Sequence, residues 1–209
     1  YDPYRRVALR DNFLHYELST EALWRGDYEE LGDFTTGAYA AELQDNGLTL
    51  RRRGHVGRDE GHPVMVEKSL TLAPDASSLQ IRYHIRNEGN TPIPEQFGVE
   101  FAANLLTGSA PDRVYLSEDR DLGGDMLGKI GCEENLHHLA LRDGWQQFDY
   151  GLRFSEAAKV YQFPIETVSQ SENGQERVYQ GSVVIPCWPL ELAPQSEKTL
   201  ELTLEIVPS

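Results

Sequence analysis

Apolar and polar residues alternate with a period of two along most of the chain from Gly37 onwards. Successive side chains of a β-strand point to opposite faces, so this alternation gives each strand one apolar and one polar face. Gly, Pro, Asn and Asp separate the alternating runs, which cover residues 39–43, 48–50, 64–72, 79–85, 97–105, 148–154, 161–165 and 200–206. The gaps are too short and too polar for the crossover helices of a parallel α/β fold. The pattern predicts an all-β fold, a large antiparallel β-sandwich of roughly ten to fourteen strands.

Two turns between these runs have recognisable residues. Asn46-Gly47 lies between two alternating runs and predicts a hairpin in which both turn residues adopt positive φ. Pro74-Asp75 predicts the turn that ends the run of residues 64–72.

The N-terminal part of the chain lacks this regular alternation. Residues 4–18 mix charged and apolar side chains, and we expect an extended segment or a strand there. Thr20 can cap a helix, Glu21 favours the positive end of its dipole and Gly32 can end it. The sequence therefore predicts one short helix in this region.

Residues 164–189 combine two apolar, strand-like arms with a polar centre. Polar side chains placed between buried strands usually face a ligand or another domain. The candidates for substrate binding or interdomain contact in this stretch are Glu166, Gln170, Glu176, Arg177, Tyr179 and Gln180.

Tryptophan side chains are a second indication of a possible sugar-binding site, because sugars stack their C–H faces on aromatic rings that also carry a polar group. Trp145 and Trp188 are added to the candidates, and Trp24 belongs to the same class. Trp188 precedes Pro189, where we expect a strand to end, which favours a position at the rim of the sandwich. A tryptophan packed in the core is nevertheless the more common case, and it is the favoured interpretation for each of them.

Charge and length narrow the possible partners. The chain has 209 residues, 34 of them acidic and 19 basic, for a net charge of −15. This deficit of Lys and Arg argues against nucleic acid and anionic membrane surfaces as partners, whereas a neutral sugar is compatible with it. The sequence contains no run of 18 apolar residues that could span a membrane. The length predicts a single β-sandwich domain over residues 1–209.

Few residues suggest reactive chemistry. Cys132 and Cys187 form no Cys-x-x-Cys pair, so we expect reduced thiols and a cytoplasmic location. The histidines form no zinc-binding pair of the His-x-x-x-His type, and the acidic loop of residues 119–125 lacks the spacing of a calcium loop. Residues 111–135 are expected to be irregular. The sequence predicts no catalytic set, no metal and no cofactor.

Four segments carry a specific resemblance, and they span most of the chain. They read YDPYRRVALRDNFL, GDYEELGDF, FGVEFAANLLTGSAPDR and FPIETVSQSENGQERVYQGS. They resemble the C-terminal β-sandwich of glycoside hydrolase family 57 enzymes, the α-amylases and 4-α-glucanotransferases that act on α-1,4-glucans. The resemblance implies a galactose mutarotase-like supersandwich.

The resemblance also implies where catalysis takes place. In such enzymes a Glu nucleophile and an Asp acid/base lie in an N-terminal (β/α)₇ barrel, and these 209 residues contain no counterpart of that barrel. No residue of the chain therefore receives a catalytic role. The resemblance thus implies a C-terminal domain of a larger enzyme, and the first residue, Tyr1 and not Met, leads us to expect a processed or excised piece.

Three functions follow as hypotheses. The leading one is an accessory domain that packs on the catalytic barrel and helps to shape the glucan cleft, with residues 166–181 as the interdomain contact. The alternative is an autonomous module that binds α-glucans or maltooligosaccharides. A mutarotase-type sugar epimerase is the third, and His84 with Glu100 is its only nominated acid/base pair.

Overall fold

A computed structural model describes residues 4–57, 61–72, 77–171 and 174–209. Within these residues the chain forms eleven strands and one helix. In chain order they are β1 (Arg10–Leu14), α1 (Thr20–Arg25), β2 (Ala40–Gln44), β3 (Gly47–Val56), β4 (His62–Leu72), β5 (Ser78–Asn87), β6 (Gln96–Ala103), β7 (Tyr115–Leu116), β8 (Gly131–Asp143), β9 (Phe148–Ser171), β10 (Gly174–Pro189) and β11 (Glu197–Pro208). The predicted all-β class with one short N-terminal helix is confirmed.

All strand pairs are antiparallel, and the main path through the sheet runs β1-β6-β10-β9-β11-β5-β4-β3-β2. The long strand β9 joins two layers of this path. Its residues 148–154 pair with β11, and its pairing with β10 begins at Lys159. Strand β8 follows the other edge of β9, and the short β7 pairs with β8. We call β1, β6, β10 and the later half of β9 the first layer, and the remaining main-path strands with the earlier half of β9 the second layer.

The main core lies between these two layers. Tyr83 of β5 and Phe97 of β6 are not on neighbouring strands, yet their ring centroids lie 5.2 Å apart in an edge-to-face contact. The rings of Phe154 on β9 and Trp188 on β10 make a similar contact at 5.6 Å. Large buried side chains from both layers therefore fill one interior, as sandwich packing requires.

A polar cluster centred on Asp11 is enclosed in this interior. The Asp11 carboxylate accepts hydrogen bonds from Lys68 Nζ at 2.9 Å and from Tyr83 Oη at 2.8 Å, and also one from Tyr39. Lys68 donates a further bond to the carbonyl oxygen of Leu9 at 2.7 Å. The cluster ties β1 in the first layer to β4 and β5 in the second.

A second, smaller core covers the outer face of the first layer. It contains Leu23 of α1 together with Leu14, Phe163, Val183 and Ile185 of strands β1, β9 and β10. Helix α1 thus packs on the outside of the first layer, and this position places its neighbour Trp24 beside β9 and β10.

The first predicted hairpin is present, but its turn differs from the expectation. Strands β2 and β3 pair from Ala40↔Arg51 to Gln44↔Gly47, so the turn residues are Asp45 and Asn46. Neither Asn46 nor Gly47 is among the residues with positive φ, so that part of the prediction is wrong. A Cβ on Gly47 would lie 2.2 Å from the carbonyl oxygen of Leu70, so the glycine serves a close approach to β4. The predicted turn at Pro74-Asp75 lies outside the described residues.

The helix is shorter than predicted and has a different cap. Ser19, not Thr20, accepts a hydrogen bond from the backbone N–H of Ala22 at 3.2 Å. Gly26 ends the helix with φ 69° and donates to the carbonyl of Leu23. Gly32 lies beyond the helix in a bridge to Val56, so its prediction as the helix end is wrong.

The stretch predicted to be irregular, residues 111–135, is partly ordered as sheet. Its end belongs to β8, which begins at Gly131, and Tyr115–Leu116 form β7. The Asp119 carboxylate in this stretch accepts hydrogen bonds from the backbone N–H groups of His137 and His138 at 2.7 and 2.9 Å. These bonds attach the acidic loop to β8 and hold the pKa of Asp119 below its usual value against the opposing effect of burial.

Candidate functional site

The stretch of residues 164–189 is a β-hairpin made by the end of β9 and most of β10. Its base is part of the sandwich, and all residues from Gly181 to Trp188 are buried. Its far part is exposed to solvent from Thr167 to Gln170 and from Glu176 to Val178. We call residues 165–171 and 174–180 the distal hairpin, and it holds six of the eight predicted site residues.

Two side chains of the distal hairpin form an ion pair across its strands. Arg177 Nη1 donates to Glu166 Oε2 at 3.2 Å, with 58% of the Arg177 side chain and 22% of the Glu166 side chain exposed. On the same strands, Gln180 Nε2 donates to Thr167 Oγ1 at 3.2 Å. The register shifts between Tyr179 and Gly181, so Gln180 is the extra residue of a β-bulge. Bulges bend a strand and turn its side chains, and this one lies where the hairpin leaves the sandwich.

The remaining predicted residues of the hairpin differ in exposure. Gln170 is exposed near the hairpin end, and Glu176 is exposed as well. Tyr179 is half-buried, its hydroxyl lies 2.8 Å from Ser182 Oγ, and burial raises its pKa. Tyr179 therefore connects the distal hairpin to the core rather than extending into solvent.

Each side of the distal hairpin borders a cleft. The first, which we call the helix–hairpin cleft, has a volume of about 430 Å³ and lies between α1 and the hairpin. Its lining includes Arg6, Trp24, Arg25, Phe163, Glu166 and Arg177. The second, the loop–hairpin cleft, has a volume of about 700 Å³ and lies between the hairpin and the loops of residues 106–109 and 124–129. Glu166 and Arg177 border both clefts.

In the helix–hairpin cleft, a second ion pair holds Arg6 in place. Arg6 Nη1 donates to Glu100 Oε2 at 2.8 Å, and only 4% and 0% of these side chains are exposed. Tyr4 Oη donates to the same carboxylate oxygen at 2.7 Å, and the Arg6 guanidinium lies 5.2 Å from the ring centre of Phe163. Burial raises the pKa of Glu100, an effect that the Arg6 charge opposes.

Trp24 supports Arg177 in the same cleft. The guanidinium carbon of Arg177 lies 5.2 Å from the centre of the Trp24 ring, within the range of a cation–π contact. Trp24 itself is half-buried and packs against the outer core. The sequence suggested a role for Trp24 only as one of three tryptophans, because a helix of six residues is too short to show a periodic pattern that places a side chain on one face.

Trp188 lies in the core, the interpretation favoured for the tryptophans, and not at the rim that the following proline suggested. It is 1% exposed, and its Nε1 donates to the carbonyl of Glu156 at 2.9 Å inside the main core. The reason is that β10 does not end before Pro189 but includes it. Strand β10 continues through Trp188 and Pro189, which pair with Phe97 and Gln96 of β6.

Trp145 is exposed by 76%, but it lies outside the hairpin. It belongs to the turn between β8 and β9, where its backbone N–H donates to Asp143 Oδ1 at 3.1 Å. It lines neither of the clefts beside the distal hairpin. The two tryptophans singled out from the sequence are therefore separated from the polar candidates.

The two residues nominated as an epimerase acid/base pair lie in different layers of the sandwich. His84 Nε2 lies 3.0 Å from Glu197 in the second layer, whereas Glu100 faces the outer side of the first layer with Arg6 and Tyr4. The structure therefore does not bring the nominated epimerase pair together. Within the described ranges there is no group of three His, Cys, Asp or Glu side chains suited to a metal ion, and no helix long and apolar enough to cross a membrane.

Neither cysteine has the environment of a reactive nucleophile. Cys132 and Cys187 form no disulfide. Burial raises the pKa of both thiols, that of Cys132 to about 11, so both are protonated at neutral pH.

The chain is similar to the C-terminal parts of several longer enzymes. It is 31% identical to the 4-alpha-glucanotransferase of Thermococcus kodakarensis over 191 residues, which cover 91% of this chain and 25% of the relative. It is also 31% identical to Alpha-amylase 1 of Dictyoglomus thermophilum over 197 residues, which cover 92% and 27%. The chain thus spans about a quarter of the length of these curated relatives.

Solved structures agree with the fold. The crystal structure of 4-alpha-glucanotransferase from Thermococcus litoralis superposes with a TM-score of 0.77 at 28% identity, over 100% of this chain and 28% of that one. A putative aldose 1-epimerase from Escherichia coli K12 superposes with a TM-score of 0.61 over 98% of this chain and 81% of that one. The identity to the epimerase is 12%, so this similarity shows the fold alone, and it confirms the galactose mutarotase-like sandwich.

A family model extends the similarity over nearly the whole chain. The model described as "Alpha-amylase/4-alpha-glucanotransferase, C-terminal" matches residues 1–202. This match confirms the resemblance found in the four sequence segments. The chain belongs to the C-terminal family of α-amylases and 4-α-glucanotransferases.

Proposed function

We propose that this chain is a non-catalytic accessory module of a longer α-glucan-acting enzyme, and that it packs on an N-terminal catalytic domain of the same polypeptide. Its family membership and its match to about a quarter of each relative support this proposal. Assignment of the parent enzyme to glycoside hydrolase family 57 remains a prediction.

The observation that carries the docking proposal is a group of exposed apolar side chains around the loop–hairpin cleft. Leu106 is exposed by 69%, Met126 by 43% and Val178 by 41%, and all three line this cleft. Large apolar side chains gathered at one place on a surface mark interaction sites, whereas scattered ones do not. We assign this side of the distal hairpin to the contact with the catalytic domain.

Polar groups at the border of the same cleft fit an interdomain contact. Glu176, Arg177 and Lys129 border the apolar side chains, and Lys129 is itself paired with Asp125. Interfaces between domains commonly combine an apolar centre with a polar rim, and they bury on the order of 600–1,500 Å². Glu176 and Lys129, which line this cleft alone, would thus hydrogen-bond to the partner domain without carrying out chemistry.

The test compares amide hydrogen exchange in the full-length gene product with exchange in residues 1–209 alone. We expect slower exchange in the full-length protein at residues 106–109, 124–129 and 176–179, because docking would cover these segments. The double variant Leu106→Asp with Val178→Asp should remove that difference by placing charges in an apolar contact.

A matched control is Leu43→Asp, since Leu43 is 86% exposed on β2 and lies away from the cleft. This variant should leave the exchange difference unchanged. The proposal is wrong if the gene encodes no catalytic domain upstream of these residues. It also fails if the three segments exchange equally fast in both samples.

Two further predictions depend on this proposal. An α-glucan or a maltooligosaccharide would be the ligand of the whole enzyme, with this module shaping part of the cleft that holds it. Unpaired cysteines are compatible with a cytoplasmic location, which we propose for the enzyme. Fractionation of the host cells would test the location.

A further inference from the structure

The helix–hairpin cleft differs from the loop–hairpin cleft in its chemistry. Its border combines one tryptophan, three guanidinium groups and one carboxylate, from Trp24, Arg6, Arg25, Arg177 and Glu166. Its volume of about 430 Å³ falls in the range of small-molecule sites, roughly 300–1,000 Å³.

Each of the three guanidinium groups has a carboxylate partner. Arg6 pairs with Glu100 at 2.8 Å, Arg25 with Glu21 at 2.7 Å and Arg177 with Glu166 at 3.2 Å. The three positive charges are therefore balanced by adjacent carboxylates, although only Glu166 of these carboxylates lines the cleft itself. A site of this kind offers many hydrogen-bonding groups without a net attraction for anions, which favours a neutral, polyhydroxylated ligand.

Arg177 and Glu166 are held in position to bind hydroxyl groups. The guanidinium carbon of Arg177 lies 5.2 Å from the centre of the Trp24 ring, and Nη1 of the same guanidinium donates a hydrogen bond to Glu166. A guanidinium has five N–H donors and a carboxylate has two acceptor oxygens, so one hydrogen bond between them does not exhaust either group. A planar donor group and an adjacent acceptor match two neighbouring hydroxyls of a sugar ring, and pre-positioning lowers the entropic cost of binding.

The floor of the cleft adds an apolar surface. Ile165 and Val168 line it, and Val168 is exposed by 58%. Phe163 lies deeper, is 1% exposed and contacts the Arg6 guanidinium, so it supports this surface without being open to a ligand. Sugar rings combine hydroxyl groups at their edge with C–H groups on their faces. A cleft with an apolar floor and paired Arg and Glu side chains at its border matches both parts of such a ring.

We propose that the helix–hairpin cleft is a binding subsite for a neutral oligosaccharide, in which Arg177 and Glu166 bind hydroxyl groups and Trp24 positions Arg177. The inference depends on the proposed function only for the choice of an α-1,4-linked glucan as the sugar. Trp24 would thus support a sugar-binding arginine, whereas the sequence suggested that tryptophans stack on the sugar itself.

The test is a calorimetric titration of the 209-residue chain with maltotriose, with inorganic phosphate as the anionic comparison. We expect weak binding of maltotriose, with a dissociation constant of roughly a millimolar, and no measurable binding of phosphate at the same concentration. Arg177→Ala should weaken maltotriose binding at least about tenfold, the effect of losing one hydrogen bond to a charged group.

Trp24→Ala should weaken binding by a similar factor, and Arg177→Lys should not restore it because lysine lacks the planar pair of donors. Two matched controls should bind maltotriose like the unmodified chain. Trp145→Ala removes an exposed tryptophan from another turn, and Arg82→Ala removes an exposed arginine whose partner is Glu201 in the second layer. Thermal unfolding of each variant confirms that it is folded.

Three results would overturn the inference: no heat of binding at millimolar maltotriose, tighter binding of phosphate than of maltotriose, or equal binding by Arg177→Ala and the unmodified chain. The hydrogen-exchange test of domain docking is independent of all three. Protection of the loop–hairpin cleft without sugar binding would remove this inference alone. Sugar binding by a chain whose gene has no upstream catalytic domain would remove only the proposed function.

Discussion

Two ion pairs of this protein have similar chemistry in opposite surroundings. Asp11 and Lys68 lie 2.9 Å apart between the layers, with 0% and 6% of their side chains exposed. Glu166 and Arg177 lie 3.2 Å apart on the distal hairpin, where more than half of the arginine side chain contacts water. The interior pair has further partners within the protein, whereas the hairpin pair is open to a cleft on each side.

The difference separates structural polar groups from those available for binding. Charges taken out of water are tolerated only when other groups of the protein complete their hydrogen bonds, as Tyr83 and Leu9 do for the interior pair. An exposed pair contributes about 0–1 kcal/mol to folding because water competes for both partners. A solvent-exposed pair with such a small role in folding is free to serve recognition.

The largest expected effect is the loss of the interior pair. Asp11→Ala should lower the free energy of unfolding by about 3–5 kcal/mol, because Lys68 would remain buried without its carboxylate. The matched change Glu166→Ala should cost less than about 1 kcal/mol. Urea unfolding followed by tryptophan fluorescence measures both. Equal losses for the two variants would remove the distinction between the pairs.

The second largest expected effect is on the pH dependence of stability, and it comes from the half-buried carboxylate of Glu30. Glu30 Oε1 accepts a hydrogen bond from the backbone N–H of Phe13 at 2.8 Å, and burial raises the pKa of Glu30 from 4.5 to about 7. Between these two values the folded state binds more protons than the unfolded state, so stability falls as pH rises from about 4.5 to about 7. The fall contributed by Glu30 is on the order of 2–3 kcal/mol.

Glu30→Gln keeps the acceptor oxygen and removes the titration. Its stability relative to the unmodified chain should therefore increase from pH 4.5 to pH 7 and stay constant above that. Denaturant unfolding at pH 4.5, 6 and 8 would reveal the trend. A stability difference that does not change with pH would show that Glu30 titrates like an exposed carboxylate.

Trp188 and Trp145 test the same contrast between a buried and an exposed position, here with a large aromatic side chain. Trp188→Phe should cost about 1–3 kcal/mol, because it leaves space in the core and removes the donor that binds the Glu156 carbonyl. Trp145→Phe should change stability by less than about 0.5 kcal/mol, as expected for an exposed position. Thermal unfolding distinguishes the two, and similar costs would contradict the burial of Trp188.

The smallest effect concerns the wall of the helix–hairpin cleft. Ser19→Ala should lower stability by about 1 kcal/mol through loss of the helix cap, whereas Ser19→Asp should retain most of it. Because α1 carries Trp24, maltotriose binding should weaken in Ser19→Ala and not in Ser19→Asp. Unchanged binding in Ser19→Ala would show that the cleft does not depend on the helix.

Much of the fold could be predicted from local patterns. The alternating residues Phe97, Val99, Phe101 and Ala103 of β6 all belong to the main core, as predicted, although the residues between them are largely buried on the other face as well. Errors arose where a distant contact decides the local conformation. Position 47 requires glycine because a Cβ there would collide with the carbonyl oxygen of Leu70. Trp188 is buried because β10 continues past it and pairs with β6.

The sequence alone determined the all-β class, most of the core-facing residues and the family, because alternation and ordered segments are properties of neighbouring residues. The tertiary structure decided that β9 joins both layers and that the distal hairpin separates two different clefts. The helix–hairpin cleft brings Arg6, Trp24, Glu166 and Arg177 together from three distant parts of the chain. Strand pairing and side-chain packing are long-range interactions, so no local pattern encodes which of these residues meet.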